Sequence, residues 1–239
     1  MSPRPDDLDF EVEELSATRK AIAERVSQSN REIPVFLMHA VADASCLVAA
    51  RDAMKADAKA QADQTQPRVP TYNDLLIKIV ATALGDHPRF NAWYTEDEGL
   101  KLVKQINVGF AVATENGVLL PTVADADKKS LDEIAAEAAE LVDLARKGRL
   151  RASLQMGATF SISNVGPMEI AAFNAIISPP QTGILAIGSL MERPVVVNGA
   201  IEPRPTLHLT LSVDHRAADG MDAALFLRDI KDGIEGWGQ

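Results

Sequence analysis

The sequence predicts an α+β fold, a mixed β-sheet flanked by helices, on three observations. Several segments have the apolar period and alanine content of amphipathic helices. Asn-Gly pairs at Asn116-Gly117 and Asn198-Gly199 sit between β-rich runs and mark hairpin turns. Helices and hairpins mix without a strict strand–helix–strand repeat, which argues against a doubly wound parallel sheet.

In chain order, residues 1–14 are polar, acidic and proline-bearing, and read as a flexible arm ahead of a domain spanning 15–239. Ser16 is a helix cap. Residues 17–29 then place Ala21, Ile22 and Val26 on one face, with Arg19, Lys20, Glu24 and Arg25 elsewhere. Pro34 ends this helix, and residues 35–41 read as a strand. A second helix, rich in alanine and charge, is predicted over about 47–62, followed by a loop over 63–70 with two prolines. Thr71 and Asp74 form a capping box with Asp in the Glu place, opening an apolar helix through Ala83. Residues 106–114 are β-rich, and residues 118–123 are the returning strand of a hairpin. Ser130 and Glu133 repeat the capping-box pattern, and that helix ends near Lys147-Gly148. Residues 159–165 alternate like a strand, and the apolar run 182–187 reads as a central one. Residues 195–201 contain the second Asn-Gly turn, 206–213 form a strand, and 222–234 a final helix.

Composition narrows the function classes. The 239 residues carry a net charge of −10, which disfavours nucleic acid as a partner. No apolar run approaches the ~20 residues that cross a bilayer, so no membrane partner is expected. The N-terminus lacks an apolar signal core, and its early acidic residues speak against a transit peptide. The one cysteine, Cys46, leaves no disulfide framework and suits a reducing, cytoplasmic setting.

Four histidines are present. His39 and His208 fall in strands and His87 precedes Pro88, settings in which histidines mostly pack or bond locally. None has a zinc-ligand spacing, and no metal is expected. His215 differs. It follows a strand, precedes a helix, and is flanked by Asp214 and Arg216, with Asp219 four residues on. Strand-to-helix junctions hold side chains at a sheet rim, where ligands bind. Taken alone, the run could equally be a salt-bridged turn.

The run Asp214-His215-Arg216-Ala217-Ala218-Asp219-Gly220 resembles the Asp-His-Arg-x-x-Asp-Gly signature of the dihydrolipoyl acyltransferases of 2-oxo acid dehydrogenase complexes. Other landmarks follow in family order. Leu15 to Ala23 resembles the opening helix, and Asn73-Asp74 the next landmark. Gly117-Val118-Leu119-Leu120-Pro121 resembles the central hairpin. Thr159-Phe160-Ser161-Ile162-Ser163-Asn164-Val165-Gly166 resembles the Thr-Phe-Thr-Ile-Ser-Asn-x-Gly strand, and Ile176 to Gly188 the stretch after it. The resemblance covers about 15–231. It implies a chloramphenicol acetyltransferase-like fold.

It also implies a reaction: transfer of an acyl group, acetyl first, between dihydrolipoyl thiol and coenzyme A, within a complex such as pyruvate dehydrogenase. A thiol with a pKa near ~8.5 is mostly protonated at neutral pH. An imidazole, with an intrinsic pKa near ~6.5, can take that proton and return it to the leaving sulfur. The resemblance assigns this role to His215 and gives the oxyanion contact to Ser163; Ser161, close by in the same strand, is expected to point to the opposite face, so that only one of the two can serve. Asp219 has an assisting, positioning role or braces the loop with Arg216. Asp214 and Arg216 are mainly structural. Arg19 would approach the phosphate end of coenzyme A, which suits an anion. The family is built on trimers, so His215 and Asp219 of one chain would face Ser163 of the next.

The chain departs from the family pattern in several places. Relatives carry lipoyl and subunit-binding domains ahead of this region, whereas about fifteen residues precede the opening helix here. The lipoyl group is therefore expected on another domain or chain, in cis or in trans. Asp127-Lys128-Lys129 is a poor lipoylation site, because it sits just before a helix inside the catalytic region. The run from Gly233 to Gln239, with three glycines, replaces an apolar tail, so a homotrimer without cage assembly is expected. Pro34-Val35 stands where the family often has Pro-His, and Ser178 where it has Asn; both bear on the pantetheine and acyl pockets. Two other readings stand beside this one: acyl transfer to a free small acceptor, and a catalytically silent scaffold for the other dehydrogenase subunits.

Overall fold

A computed structural model describes residues 8–60, 68–115 and 117–238. Among them, five α-helices and eleven strands alternate irregularly. The main sheet runs β1 (Val35–Asp43), β11 (Ala200–Asp214), β9 (Gly183–Ile187), β8 (Phe160–Asn164), β4 (Val108–Phe110), β7 (Thr122–Val123). The pairs β4–β8 and β8–β9 are parallel, and β1–β11, β11–β9 and β4–β7 are antiparallel. The mixed sheet predicted from the sequence is thus present.

Local chemistry explains the element boundaries. Helix α1 (Ala17–Glu32) starts where Ser16 accepts the Arg19 amide. Helix α2 (Ser45–Ala60) begins two residues earlier than predicted, because the Asp43 carboxylate accepts the Ser45 amide. The capping boxes of Thr71–Asp74 and Ser130–Glu133 open α3 (Tyr72–Asp86) and α4 (Leu131–Arg146) as expected. The final helix α5 (Gly220–Glu235) begins two residues before its predicted start, because Asp219 caps it.

The predicted returning strand 118–123 is split. Strand β6 (Gly117–Leu119) pairs with β5 (Val112–Thr114), whereas β7 pairs with β4. Leu120 and Pro121 lie between them, and proline cannot donate to a ladder. The hairpin β2 (Ala92–Thr95) and β3 (Gly99–Leu102) was not expected. The Asn198-Gly199 turn joins β10 (Met191–Val197) to β11, with φ of 50° and 84° at its two residues, as a type I′ turn requires. Residue 116 of the other predicted turn, residues 61–67 around the second helix end and loop, and residues 1–7 of the predicted arm lie outside the described residues. Residues 8–16 have no regular structure and are exposed.

Core residues on one sheet face, including Phe160, Ile162, Leu185, Leu209 and Val213, pack with residues of α3, α4 and α5. Burying such side chains contributes about 1.5–3 kcal/mol each. The other face is treated differently across its width. Over β8 and β9 it meets the segment 170–180, with Ile33, Ile177 and Ile184 forming a small second core. Over β1 it is open: Val35, Leu37 and Val41 are each more than a third exposed.

Candidate active site

The loop after β11 is tied at nearly every residue. The Asp214 amide donates to the Thr182 carbonyl, and the His215 amide to Pro34. The Ala217 and Ala218 amides both donate to the Asp214 carbonyl, and Arg89 donates to the Ala217 carbonyl at 2.9 Å. The Asp214 side chain is buried and takes two oxygens' worth of bonds from Arg216, at 2.8–3.2 Å. The Arg216 guanidinium also lies over the Tyr94 ring, 4.2 Å from its centroid. Asp214 and Arg216 thus hold each other in place within the loop. Among the described residues no bond joins Asp219 to Arg216, whose guanidinium is engaged by Asp214. Asp219 instead accepts the amides of Met221 and Asp222 as the α5 cap. Those two amides, Asp222's foremost, hold its carboxyl below the usual carboxylate range, helped by Arg89 and His215.

On this frame the His215 side chain is exposed. Its ring rests against Phe36, centroids 4.6 Å apart, and makes no hydrogen bond among the described residues. The other three histidines have local roles. His39 bonds the Thr210 hydroxyl at 3.0 Å, and His87 bonds Asp229 at 2.7 Å. His208 lies within β11, where burial and then Arg193 and His39 lower its pKa.

Ser163 sits elsewhere. It lies on β8, paired with Ala186 of β9, which in turn pairs with Thr210 of β11. Its side chain lines a cavity of about 340 Å³ with Ala111, Ile184, Val118, Ile22 and Phe173 among its walls. Contrary to the expectation of opposite faces, Ser161, two residues back, shares the same face of the strand, because side chains alternate with a period of two. It is fully buried, and its hydroxyl lies 2.7 Å from where a side chain on Gly109 would begin. Strand alternation does not separate the two serines, but depth does: Ser163 opens to the cavity and Ser161 does not.

Arg19 is exposed on α1, its guanidinium beside Gly117 at the turn of the β5–β6 hairpin. That glycine has φ of +120° and lets the Ile22 side chain approach where a β-carbon would stand. Arg25, one turn and a half further along α1, lines the Ser163 cavity and donates to the Pro179 carbonyl at 2.7 Å. Family resemblance in the sequence points to Arg19 alone. A second cleft of about 590 Å³ adjoins the cavity, sharing Ile22, Arg25, Val118, Leu120 and Ser178 with it.

Comparison with known proteins decides the family. Residues 8–239 match the profile described as 2-oxoacid dehydrogenases acyltransferase (catalytic domain). The chain belongs to this family. A relative from Zymomonas mobilis, the dihydrolipoyllysine-residue acetyltransferase component of pyruvate dehydrogenase complex, is 37% identical over 92% of this chain and 49% of its own length. The lipoamide acyltransferase component of the branched-chain alpha-keto acid dehydrogenase complex of Bacillus subtilis is 34% identical over 92% and 51%. The chain thus spans about half the length of these curated relatives. Among solved structures, the dihydrolipoamide acetyltransferase of Azotobacter vinelandii superposes with a TM-score of 0.90 at 32% identity, covering 98% of this chain and 97% of that one. That enzyme was studied for the role of a serine, a histidine and an asparagine in its mechanism. A chloramphenicol acetyltransferase, at 15% identity and a TM-score of 0.55, shares the fold.

Proposed function

We propose that this acyltransferase-family chain moves an acyl group, acetyl first, between a dihydrolipoyl thiol and coenzyme A, in sites completed by a second copy of the chain. The observation that carries the reading is the position of His215. It is an exposed imidazole without a hydrogen bond among the described residues, held by a loop tied at nearly every residue, an arrangement suited to proton transfer.

In this reading a neutral imidazole nitrogen of His215 takes the proton of the attacking thiol as sulfur closes on the thioester carbon. The C–S bond to the departing thiol breaks as the tetrahedral centre collapses, and the proton passes from imidazolium to that sulfur. No net proton is consumed, so one histidine serves both directions. Ser163 donates its hydroxyl to the carbonyl oxygen as negative charge develops there, which is worth about 3 kcal/mol when the donor is preorganised. Asp219 supports the histidine through the loop and the α5 cap. The Azotobacter enzyme's serine, histidine and asparagine are the residue types met here as Ser163, His215 and, with Asp replacing Asn, Asp219. Arg19, exposed at the hairpin, is the cation for the phosphate end of coenzyme A.

A homotrimer fits the open apolar strip of Val35, Leu37 and Val41, which a monomer would leave in water. We further propose that the trimers do not build a cage: Trp237 packs against this chain's own core. Sedimentation giving 24 or 60 subunits would overturn that. The lipoyl group is supplied by another domain or chain, and the other dehydrogenase subunits are its partners. No helix among the described residues is long and apolar enough to cross a membrane.

The deciding assay follows thioester formation from acetyl-CoA and free dihydrolipoamide. The parent is expected to be active, and His215→Ala to lose about 10²–10⁴-fold. A parent inactive with every acyl donor would favour a silent scaffold, and transfer to other small thiols, alcohols or amines but not to dihydrolipoamide would favour a free-acceptor enzyme.

A further inference from the structure

The segment 170–178 has no helix and no strand, yet it forms one wall of the Ser163 cavity through Phe173, Ala175, Ile176, Ile177 and Ser178. A segment without a ladder must find other partners for its backbone carbonyls. Here alternate carbonyls are taken by side chains from distant elements. The Ser212 hydroxyl of β11 donates to Ala175 at 2.7 Å, the Ser29 hydroxyl of α1 to Ile177 at 2.6 Å, and Arg25 to Pro179. Ser29 and Ser212 are both essentially inaccessible to solvent, at 1% and 0% exposure. Ser29 is the buried residue of an otherwise solvated helix. A buried hydroxyl on such a helix is there for its bond, since alanine would suit the helix better.

We propose that Ser29 and Ser212 are positioning residues that set acyl-chain discrimination by fixing the 175–177 wall of the cavity. The inference rests on the acyl-transfer reading above. Neither serine touches the reacting atoms; each acts through one carbonyl of the wall. The wall lines the same cavity as Ser163, where the chain attached to the carbonyl that Ser163 would polarise has to lie. An apolar wall held at two points distinguishes acyl groups by the space it leaves, and one methylene more or less changes rates by about tenfold or more. A wall released at either point would yield to a longer chain.

The test compares kcat/KM for acetyl-CoA and isovaleryl-CoA, with dihydrolipoamide as acceptor, in the parent chain, Ser29→Ala, Ser212→Ala and the two Ser→Cys variants. Cysteine keeps the volume but is a weak donor, so it separates lost bonding from a new void. The parent is expected to discriminate between the donors by about tenfold or more. Each variant is expected to bring the ratio towards one by at least about threefold, with cysteine resembling alanine. A merely structural loss would lower both donors alike and leave the ratio intact, and that result overturns the proposal. So does a parent that does not discriminate, or the failure of all four variants to fold. Where only the alanine variants fail, the cysteine pair supplies the answer. A parent inactive with every donor would instead remove the acyl-transfer reading itself.

Discussion

Ser163 on β8 stands level with Thr210 on β11, five residues short of His215 and two strands away. At the rise and spacing of a β-sheet this is roughly 16 Å along the strands and about 10 Å across them. The His215 amide is bonded to Pro34 and the loop behind it is held by Asp214, so local motion does not close that gap. A base and an oxyanion donor must both lie within about 3 Å of their own atoms of one small tetrahedral centre. The two residues of one chain do not meet that condition, whereas Ser163 of one copy and His215 of another can.

Mixed trimers test this sharing. Ser163→Ala and His215→Ala homotrimers should each be nearly inactive. Unfolded together and refolded, chains assort at random around the ring. Each interface then has an even chance of an intact histidine from one side and of an intact serine from the other. Activity should recover to about one quarter of the parent level. No recovery, with trimers formed, would return both residues to a single chain or remove one from the site.

The Asp214–Arg216 pair predicts a stability effect. Asp214 is 1% exposed, so removing either partner leaves a poorly solvated charge. Arg216→Ala should cost about 3 kcal/mol and lower the melting temperature by on the order of 10 °C. Arg216→Lys keeps the charge but loses the paired bonds and the face of Tyr94, and should fall between. Calorimetry of the two variants checks the order; equal, small losses would make the pair dispensable.

Much of the fold was legible because its signals are local. The two capping boxes and the Asn198-Gly199 turn are short-range patterns, and each forms where the residues predict. The β2–β3 hairpin escaped notice because its strands have four residues each around an acidic Glu96-Asp97-Glu98 turn, too short for alternation to register. The first part of β11 carries no strand signal in the sequence, because Pro203 and Pro205 argue against a ladder there. Both fall on the same alternate set of pairs as Pro194 opposite, so the ladder keeps the other set of bonds. In the candidate site, His215 was visible from its charged surroundings, and Ser163 only through family resemblance. Ser29 and Ser212 were not visible at all: their bonds span 148 and 37 residues, and no local pattern carries that.

His208 predicts the acid side of stability. Its lowered pKa means that the unfolded chain takes up this proton more readily than the folded one. Its contribution is therefore complete above the ordinary value of 6.5 and is lost as pH falls through 6.5 towards the folded value. Melting temperature measured from pH 7.5 down to 5 should decline less steeply in His208→Gln than in the parent. Parallel curves would assign the acid loss to other groups.

Asp219 has two possible contributions to the active loop, and one pair of variants separates them. As the α5 cap it accepts two amides, and asparagine can accept them too; alanine cannot. If capping is its main work, Asp219→Asn keeps the parent's melting temperature and loses no more than about threefold in kcat/KM, whereas Asp219→Ala loses about 2–4 °C and more activity. The cap also adds an acid-side limit. With its carboxyl held below the ordinary 3.8, Asp219 stabilises the fold above that pH, and this is lost as pH falls through the folded value. If both variants instead kept their melting temperature and lost activity equally, the negative charge itself would be acting on His215 across the loop. The helix start would then be incidental to the choice of residue.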